Sequence, residues 1–320
     1  MKRITSRKWL PIFLSLFTYF VLLNCGGGGS EPEEVISIFV SPNTLDFGTV
    51  FVGDQKELTI MVRNESFSTA MLTGSIGVTG TEFTIAENVT SYNLAPGQSL
   101  SLTVRYTPST EGSATGMVTI SHNATNQSSP IEVALTGNGN DLTDDIQTSI
   151  DQGWQLFEAG NFMGAEENFS SAIEMASLAP IFEKLLAEAE SGRGWARAKR
   201  RNFNGAKTDF NNSLSRENRE TLTDLNSKAG LAFVSHALNE FNEAISNALE
   251  VVDAIPNYTF EHDNRVNFKS LRLLLAQSYF SIGEFQKAAE QLDVLDPSGA
   301  PHSAEPEELL KKIQELLASV

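Results

Sequence analysis

The hydrophobic pattern of this 320-residue chain changes its period near Asn140, and this change constrains the fold more than any other feature. Between residues 34 and 139, apolar and polar residues alternate, which is the period of a β-strand with one buried face. Beyond residue 140 the apolar residues recur at helical spacing instead. The sequence therefore predicts a multidomain β + α protein, with a β-domain followed by an α-domain.

The β-domain is predicted to be a sandwich of short strands. Turn-forming pairs such as Pro96-Gly97 separate the alternating runs. Short strands at regular spacing over about 100 residues, without a helical period, are typical of a β-sandwich. The clearest alternating runs are Leu58, Ile60 and Val62, then Leu100, Leu102, Val104 and Tyr106, then Ile131, Val133 and Leu135.

Several segments of this domain resemble a known family. They are SPNTLDFGTV at residues 41–50, LAPG at 94–97, VRYTP at 104–108 and LTGNG at 135–139. These segments resemble the immunoglobulin-like domains of the ASH and choice-of-anchor-D group. The resemblance implies an immunoglobulin-like scaffold or binding module rather than a catalyst, and it assigns no binding residue. His122 lies at the end of a strand, where it is either a ligand or a polar strand terminus.

The α-domain contains a repeated pattern of aromatic and small residues. In four segments an aromatic residue is followed three residues later by Ala, and a small residue stands twelve residues before that Ala. Small residues at those places let two antiparallel helices cross closely, with aromatic side chains between them. The pairs are Phe162 and Ala165, Phe203 and Ala206, Phe241 and Ala244, and Phe285 and Ala288; the small residues are Gly153, Gly194, Ala232 and Ala276.

These segments resemble tetratricopeptide (TPR) repeats, most clearly GNFMGA at residues 160–165 and GEFQKA at 283–288. The four alanines are 41, 38 and 44 residues apart, whereas a regular TPR repeats every ~34 residues. Longer helices or loops must therefore hold the additional residues. Residues 309–317 are predicted to form a helix that caps the last repeat.

The TPR resemblance implies that a partner protein binds as a peptide or helix in the groove lined by the first helix of each hairpin. Aromatic residues dominate interface energetics, and an exposed aromatic row is costly without a partner. A second interpretation stays open, in which long inter-repeat segments or the sandwich cover this row and make it core. The predicted partner-binding residues in the groove are Trp154, Phe157, Trp195, Phe233, His236 and Phe280.

The N-terminal segment is predicted to export and anchor the chain. Four basic residues precede an apolar run from Trp9 to Leu23, which is shorter than the ~20 residues that a membrane-spanning helix needs. The sequence LLNC at residues 22–25 resembles the lipobox of bacterial lipoproteins, although Asn24 stands where Ala, Gly or Ser is usual.

The lipobox resemblance implies that Cys25, the only cysteine, becomes the lipidated first residue of the mature chain. Gly26 follows it in place of an inner-membrane retention Asp, which implies the outer membrane of a bacterial envelope. An uncleaved membrane anchor and an ordinary secretory signal are the alternatives.

The predicted domain organisation follows from these patterns. It comprises a signal peptide at residues 1–24, the lipidated cysteine with a flexible tether at 25–33, an immunoglobulin-like β-sandwich at 34–139, a linker at 140–147 and a TPR-like helical domain with a C-terminal capping helix at 148–320.

Charge and motif content argue against several function classes. Loss of the signal peptide removes four basic residues and changes the net charge from −17 to −21, so nucleic-acid binding is not expected. The four histidines lack metal-ligand spacing, and no phosphate loop or nucleophile elbow occurs. We therefore expect no catalytic residue, no metal and no cofactor.

The sequence predicts a membrane-tethered envelope lipoprotein that acts as a protein–protein interaction scaffold through its TPR-like groove. The alternative is a surface-exposed adhesin or host-interaction lipoprotein that binds through the β-sandwich. A third hypothesis is a hydrolase whose site is assembled from scattered acidic residues.

Overall fold

The computed structural model describes residues 33–318, in which nine β-strands are followed by nine α-helices. The predicted fold class, an immunoglobulin-like sandwich followed by a helical array, is confirmed. The predicted signal peptide, Cys25 and almost all of the tether lie outside the described residues. Within those residues, no helix is both long enough and apolar enough to cross a membrane.

Two sheets form the sandwich, one with the strand order β1-β3-β7-β5 and the other with the order β2-β9-β8-β4-β6. Strand β2 pairs in parallel with β9, and the other pairs are antiparallel. The strands are β1 (Ile38–Ser41), β2 (Thr44–Phe51), β3 (Lys56–Asn64), β4 (Leu72–Thr79), β5 (Phe83–Ile85), β6 (Ser91–Leu94), β7 (Ser99–Tyr106), β8 (Gly112–Ile120) and β9 (Ile131–Asn140).

The core of the sandwich is built from the inward residues of the alternating runs. Ile60 and Val62 of β3 and Leu102 and Val104 of the neighbouring strand β7 are all buried, and Ile60 pairs directly with Leu102. The rings of Phe47, Phe83 and Tyr106 pack against one another with centroids 4.9 to 5.6 Å apart. The apolar residues at every second position of the strands thus form a closed apolar layer between the two sheets.

The chain enters the sandwich at one end and leaves it at the other. Strand β3 is antiparallel to β1 and follows β2 through a tight turn, so β1 and β2 run in the same direction. The chain enters the sandwich at the start of β1, beside the end of β3, where Ile38 pairs with Asn64. It leaves at the opposite end, where Phe51 pairs with Asn140. The entry and the helices therefore lie at opposite ends of the sandwich.

The helices form four antiparallel hairpins and a closing helix within the described residues. The hairpins are α1 (Thr143–Glu158) with α2 (Phe162–Ala176), α3 (Glu183–Lys199) with α4 (Phe203–Ser215), α5 (Thr221–Ala237) with α6 (Phe241–Ala254), and α7 (Phe268–Ser281) with α8 (Phe285–Leu295). Helix α9 (Pro306–Leu317) buries Leu309 and Ile313 and contacts α7 and α8. The predicted capping helix is present.

The linker between the domains is shorter than predicted. Helix α1 begins at Thr143, inside the predicted linker 140–147, so only residues 141 and 142 separate it from β9. The Asp141 carboxylate accepts a hydrogen bond from the Thr143 backbone N–H at 2.9 Å. The acidic residues Asp144 and Asp145 lie in the first turn of α1, where carboxylates are favourable.

The first two hairpins have an aromatic ring in the gap between their closely crossing helices. The buried ring of Phe169 lies against Gly153, where a Cβ would approach its Cε1 to 2.7 Å. Phe210 lies in the same way against Gly194, again at 2.7 Å. The absence of a side chain at both glycines lets the helices of each pair cross closely, and the aromatic ring occupies the gap.

The sandwich contacts the helices at its exit end. The rings of Phe51 and Phe182 meet edge to face with centroids 5.3 Å apart. Ile181 lies beside Gly53, and the Val52 backbone N–H donates to the carbonyl of Asn140 at 2.9 Å. A two-residue connection and this small apolar contact together hold the two domains.

Candidate functional site

The first helices of the hairpins form one continuous face of the helical domain. Helix α1 contacts α3, α3 contacts α5 and α5 contacts α7, whereas α2, α4, α6 and α8 make no comparable contacts with one another in the described residues. The first helices therefore lie on the inside of the curve, as in other helical repeat arrays. We call the surface of α1, α3, α5 and α7 the inner face.

A segment of the chain itself lies across part of this inner face. Residues 255–267, here the covering segment, connect α6 to α7. The Phe260 backbone N–H donates to the Val266 carbonyl at 2.8 Å, and the Phe268 N–H donates to the Tyr258 carbonyl at 2.8 Å. The side chains of Tyr258, Phe260 and Val266 are buried. The segment is therefore a folded loop that contributes to the core.

The covering segment buries the tryptophans of the predicted binding row. Phe260 stacks on Trp195 with centroids 4.5 Å apart, and His262 stacks on Trp154 at 3.8 Å with nearly parallel rings. Phe157 lies 6.3 Å from the Phe260 ring. Trp154, Phe157 and Trp195 are only 8%, 3% and 3% exposed.

The interpretation of these three residues as an exposed groove is therefore wrong. The second interpretation, in which an inter-repeat segment covers them, is the one observed.

The other three predicted residues lie on the uncovered part of the inner face and are half-buried. His236 Nδ1 lies 2.8 Å from the Ser278 hydroxyl, and burial lowers the pKa of His236. The rings of Phe280 and Phe285 pack at a tilt with centroids 5.3 Å apart, and Phe233 borders the helical core. The structure thus separates the six residues into a covered group and an accessible group. Their role in partner binding stays a prediction.

Charged contacts attach the covering segment to α1 and α3. Asp263 is buried and pairs with Lys199 and Arg265. Burial raises the pKa of Asp263, but the hydrogen bonds from Arg265 and Lys199 outweigh it and hold that pKa well below its usual range. His262 Nδ1 lies 2.8 Å from Glu158 Oε1. These contacts fix the segment at both the α1 and the α3 side.

A small acidic cavity opens where α3, α5 and the covering segment meet. Its volume is about 100 Å³, and its lining includes Trp154, Glu188, Glu220, Leu222 and Glu261. Burial, together with the charges of Asp151 and Glu220, raises the pKa of Glu188, which a hydrogen bond from the Trp154 side chain partly offsets. The cavity is therefore a place of concentrated negative charge.

Sequence reasoning left open that an inter-repeat segment covers the row but did not identify which one, although the repeat spacing contained a signal for it. The largest interval between the repeat alanines, 44 residues, separates Ala244 from Ala288. This excess over a regular repeat is the covering segment. Tyr258 and Phe260 within it are aromatic, which is unusual for a plain loop and is consistent with burial.

The side chains of His122 and His302 each lie beside a nearby oxygen atom of the protein. The His122 Nε2 lies 3.2 Å from the Ser128 carbonyl, just beyond the end of β8. His302 Nδ1 lies 2.8 Å from Asp293 Oδ1 at the base of α9. Within residues 33–318, no group of three or more His, Cys, Asp or Glu is arranged to hold a metal ion.

Comparison with known proteins supports the domain assignment. Residues 32–129 match the sequence model of the ASH family, described as "Abnormal spindle-like microcephaly-assoc'd, ASPM-SPD-2-Hydin". The β-sandwich is thus an immunoglobulin-like ASH domain. No curated protein matches the chain.

Solved structures similar to each domain differ widely from it in sequence. The ASH/PapD-like domain 7 of human CEP192 is 10% identical, with a TM-score of 0.30, covering 39% of this chain and 99% of that one. A tetratricopeptide repeat protein from Parabacteroides merdae is 11% identical, with a TM-score of 0.39, covering 55% of this chain and 61% of that one. A putative kinesin light chain from Podospora anserina with TPR-like repeats is 14% identical, with a TM-score of 0.40, covering 55% and 96%.

Both kinds of domain are typically non-catalytic. TPR-like repeats generally mediate protein–protein interactions, and their extended inner surfaces suit that role.

Proposed function

We propose that the protein is a lipid-anchored scaffold of the bacterial cell envelope, in which the sandwich is a spacer and the helices bind a protein partner. The observation that carries this proposal is the opposite placement of entry and helices on the sandwich. A chain held by Cys25 would present the helical domain at the far end, about 30 Å from the entry at ~3.3 Å per residue along the nine residues of β3, which runs back from the exit end to the entry.

The docking surface in this proposal is the inner face outside the covering segment. It includes the half-buried Phe233, His236 and Phe280, and the exposed Leu222 at the rim of the acidic cavity. Apolar side chains beside polar and charged ones are typical of interfaces that form and dissociate. The contact between Phe51 and Phe182 gives this surface a defined direction relative to the sandwich.

Lipid anchorage is tested by metabolic labelling with a fatty acid analogue. The wild-type chain is expected to incorporate the label and to remain with the membrane fraction. Cys25→Ser is expected to lose both properties. Equal labelling of the two proteins would refute anchorage through this residue, and protease treatment of intact cells would then show whether the helices are exposed outside.

Partner docking is tested by affinity capture from native envelopes. Leu222→Ser changes an inner-face side chain that is 54% exposed, and Met163→Ser changes one on α2 that is 59% exposed. We expect a partner of the wild-type protein to be lost with Leu222→Ser and kept with Met163→Ser. Equal capture by all three proteins would move the docking surface to the sandwich, as in the adhesin alternative.

A further inference from the structure

The exposed large apolar side chains of the sandwich are concentrated around its entry end. In residues 33–318, Phe67 is the most exposed large apolar residue, at 66%. The remaining ones of the sandwich lie on β1, on β3, before β1 or in the β3–β4 loop. The full set is Val35, Phe39, Met61, Phe67 and Met71.

The loop that carries Phe67 is fixed against the entering chain. The Val35 N–H donates to the Thr69 hydroxyl at 2.9 Å, and the Thr69 N–H donates to the Val35 carbonyl at 2.8 Å. The Asn123 amide donates to the Met71 carbonyl at 3.1 Å. Phe67 thus stands at the tip of an ordered loop, with Val35 and Met71 at its base. We call these three residues the entry patch.

The entry patch is close to the predicted membrane attachment. Seven residues lie between Cys25 and Glu33, the first described residue, and the eight Cα-to-Cα steps across them span at most about 29 Å when fully extended. Both an acylated Cys25 and an uncleaved apolar anchor place residue 25 at a membrane surface, so the patch is near that surface in either case.

The charged residues around the patch indicate whether it would meet an anionic or a zwitterionic membrane surface. Glu33 and Glu34 precede Val35, and Arg63 is paired with Glu65 at 2.7 Å. This acidic neighbourhood disfavours an anionic surface and is compatible with zwitterionic headgroups. Apolar side chains such as Phe and Leu bury at the boundary between headgroups and acyl chains when a peripheral protein lies on a membrane.

We propose that the entry patch inserts Phe67 into the interface of a zwitterionic phospholipid surface and fixes the orientation of the anchored protein. The inference rests on the proposed anchorage. A single aromatic side chain is too small to recruit a protein from solution, but a short tether raises the effective concentration to the mM range. The contact then holds the sandwich end-on, with the helical domain away from the membrane.

The test uses the protein produced with its complete N-terminal segment and reconstituted into phosphatidylcholine vesicles. Phe67→Trp places an indole in the patch, and Met163→Trp places one on α2 of the helical domain. Vesicles with brominated acyl chains quench an indole that reaches the interface. The parent protein, which has Trp9 in the N-terminal segment and the buried Trp154 and Trp195, supplies the background emission.

We expect at least a twofold quenching of the introduced indole in Phe67→Trp and none in Met163→Trp. If both variants float with the vesicles and neither is quenched, the patch proposal is overturned while anchorage stands. If neither variant floats with the vesicles, anchorage fails and the patch proposal fails with it. Quenching of both variants to the same extent would also overturn it, because the protein would then lie along the membrane.

Discussion

At the scale of single residues, Phe260 determines whether the tryptophans of α1 and α3 are surface or core. Its ring is completely buried and touches Trp154, Phe157 and Trp195. Phe260, a loop residue, thus occupies the place on these aromatic rings that a bound peptide would take in an open groove. The inner face is closed at this place by the protein's own sequence.

Phe260→Ala is expected to destabilise the helical domain by about 3–5 kcal/mol, the usual loss for a buried Phe. The emission of Trp154 and Trp195 should shift to longer wavelength because water gains access to both indoles. Chemical denaturation and fluorescence measure the two effects. Phe67→Ala, at an exposed Phe, is the control and should change the unfolding free energy by less than about 0.5 kcal/mol.

Glu188 is expected to reduce stability at neutral pH. Its raised pKa means that the folded protein binds the proton more tightly than the unfolded chain does. The cost of ionising it therefore begins above the usual Glu pKa of about 4.3 and is complete above the folded-state pKa.

Glu188→Gln should raise the melting temperature at pH 7.5, and this gain should vanish below about pH 4, where the wild-type carboxyl is protonated in both states. Glu167→Gln, at an exposed position on α2, is the control. A gain that persists unchanged at acid pH would show that the charge is not its cause.

At the scale of helices and strands, the glycine–phenylalanine wedges set how closely the hairpins pack. Gly194→Ala should destabilise the helical domain by about 1–3 kcal/mol through overpacking against Phe210, although Ala favours helices by about 1 kcal/mol over Gly. Thermal unfolding measures the result. Gly77→Ala in β4, where a Cβ would meet nothing within 4 Å, should leave stability nearly unchanged. A stabilising Gly194→Ala would contradict the wedge.

The same scale shows what the sequence could predict. Period-two runs and turn residues were sufficient for the sandwich, and the aromatic–alanine spacing was sufficient for four hairpins, because each reports local geometry. The burial of Trp154 and Trp195 depends on residues more than 60 positions away in the covering segment. Spacing marked where extra residues were inserted, but not which face they would cover. Exposure of the candidate site was therefore beyond the reach of periodicity.

At the scale of the whole molecule, the contact between Phe51 and Phe182 couples the two domains. Phe51→Ser should loosen the contact and expose the two-residue connection at residues 141–142. Limited proteolysis should then cut this connection several times faster than in the wild type. Phe39→Ser, on β1 and away from the helices, is the control and should leave the rate unchanged. Equal rates for Phe51→Ser and the wild type would mean that the contact does not restrain the domains.

The proposed architecture has the membrane attachment at one end, the sandwich between, and a helical docking surface at the other end. This order explains why the exposed apolar residues of the sandwich lie at its entry and why the inner face retains accessible aromatic residues at Phe233 and Phe280. The central claim is that a protein partner occupies this inner face in the envelope.

Site-specific photo-crosslinking in living cells tests this claim most directly. A photoreactive residue would replace Leu222 or Gln277 on the inner face, and Met163 or Val294 on the outer helices α2 and α8. The account predicts a crosslink to the same protein from both inner positions and none from the outer ones. Crosslinks of equal yield from all four positions, or from the outer positions alone, would contradict it.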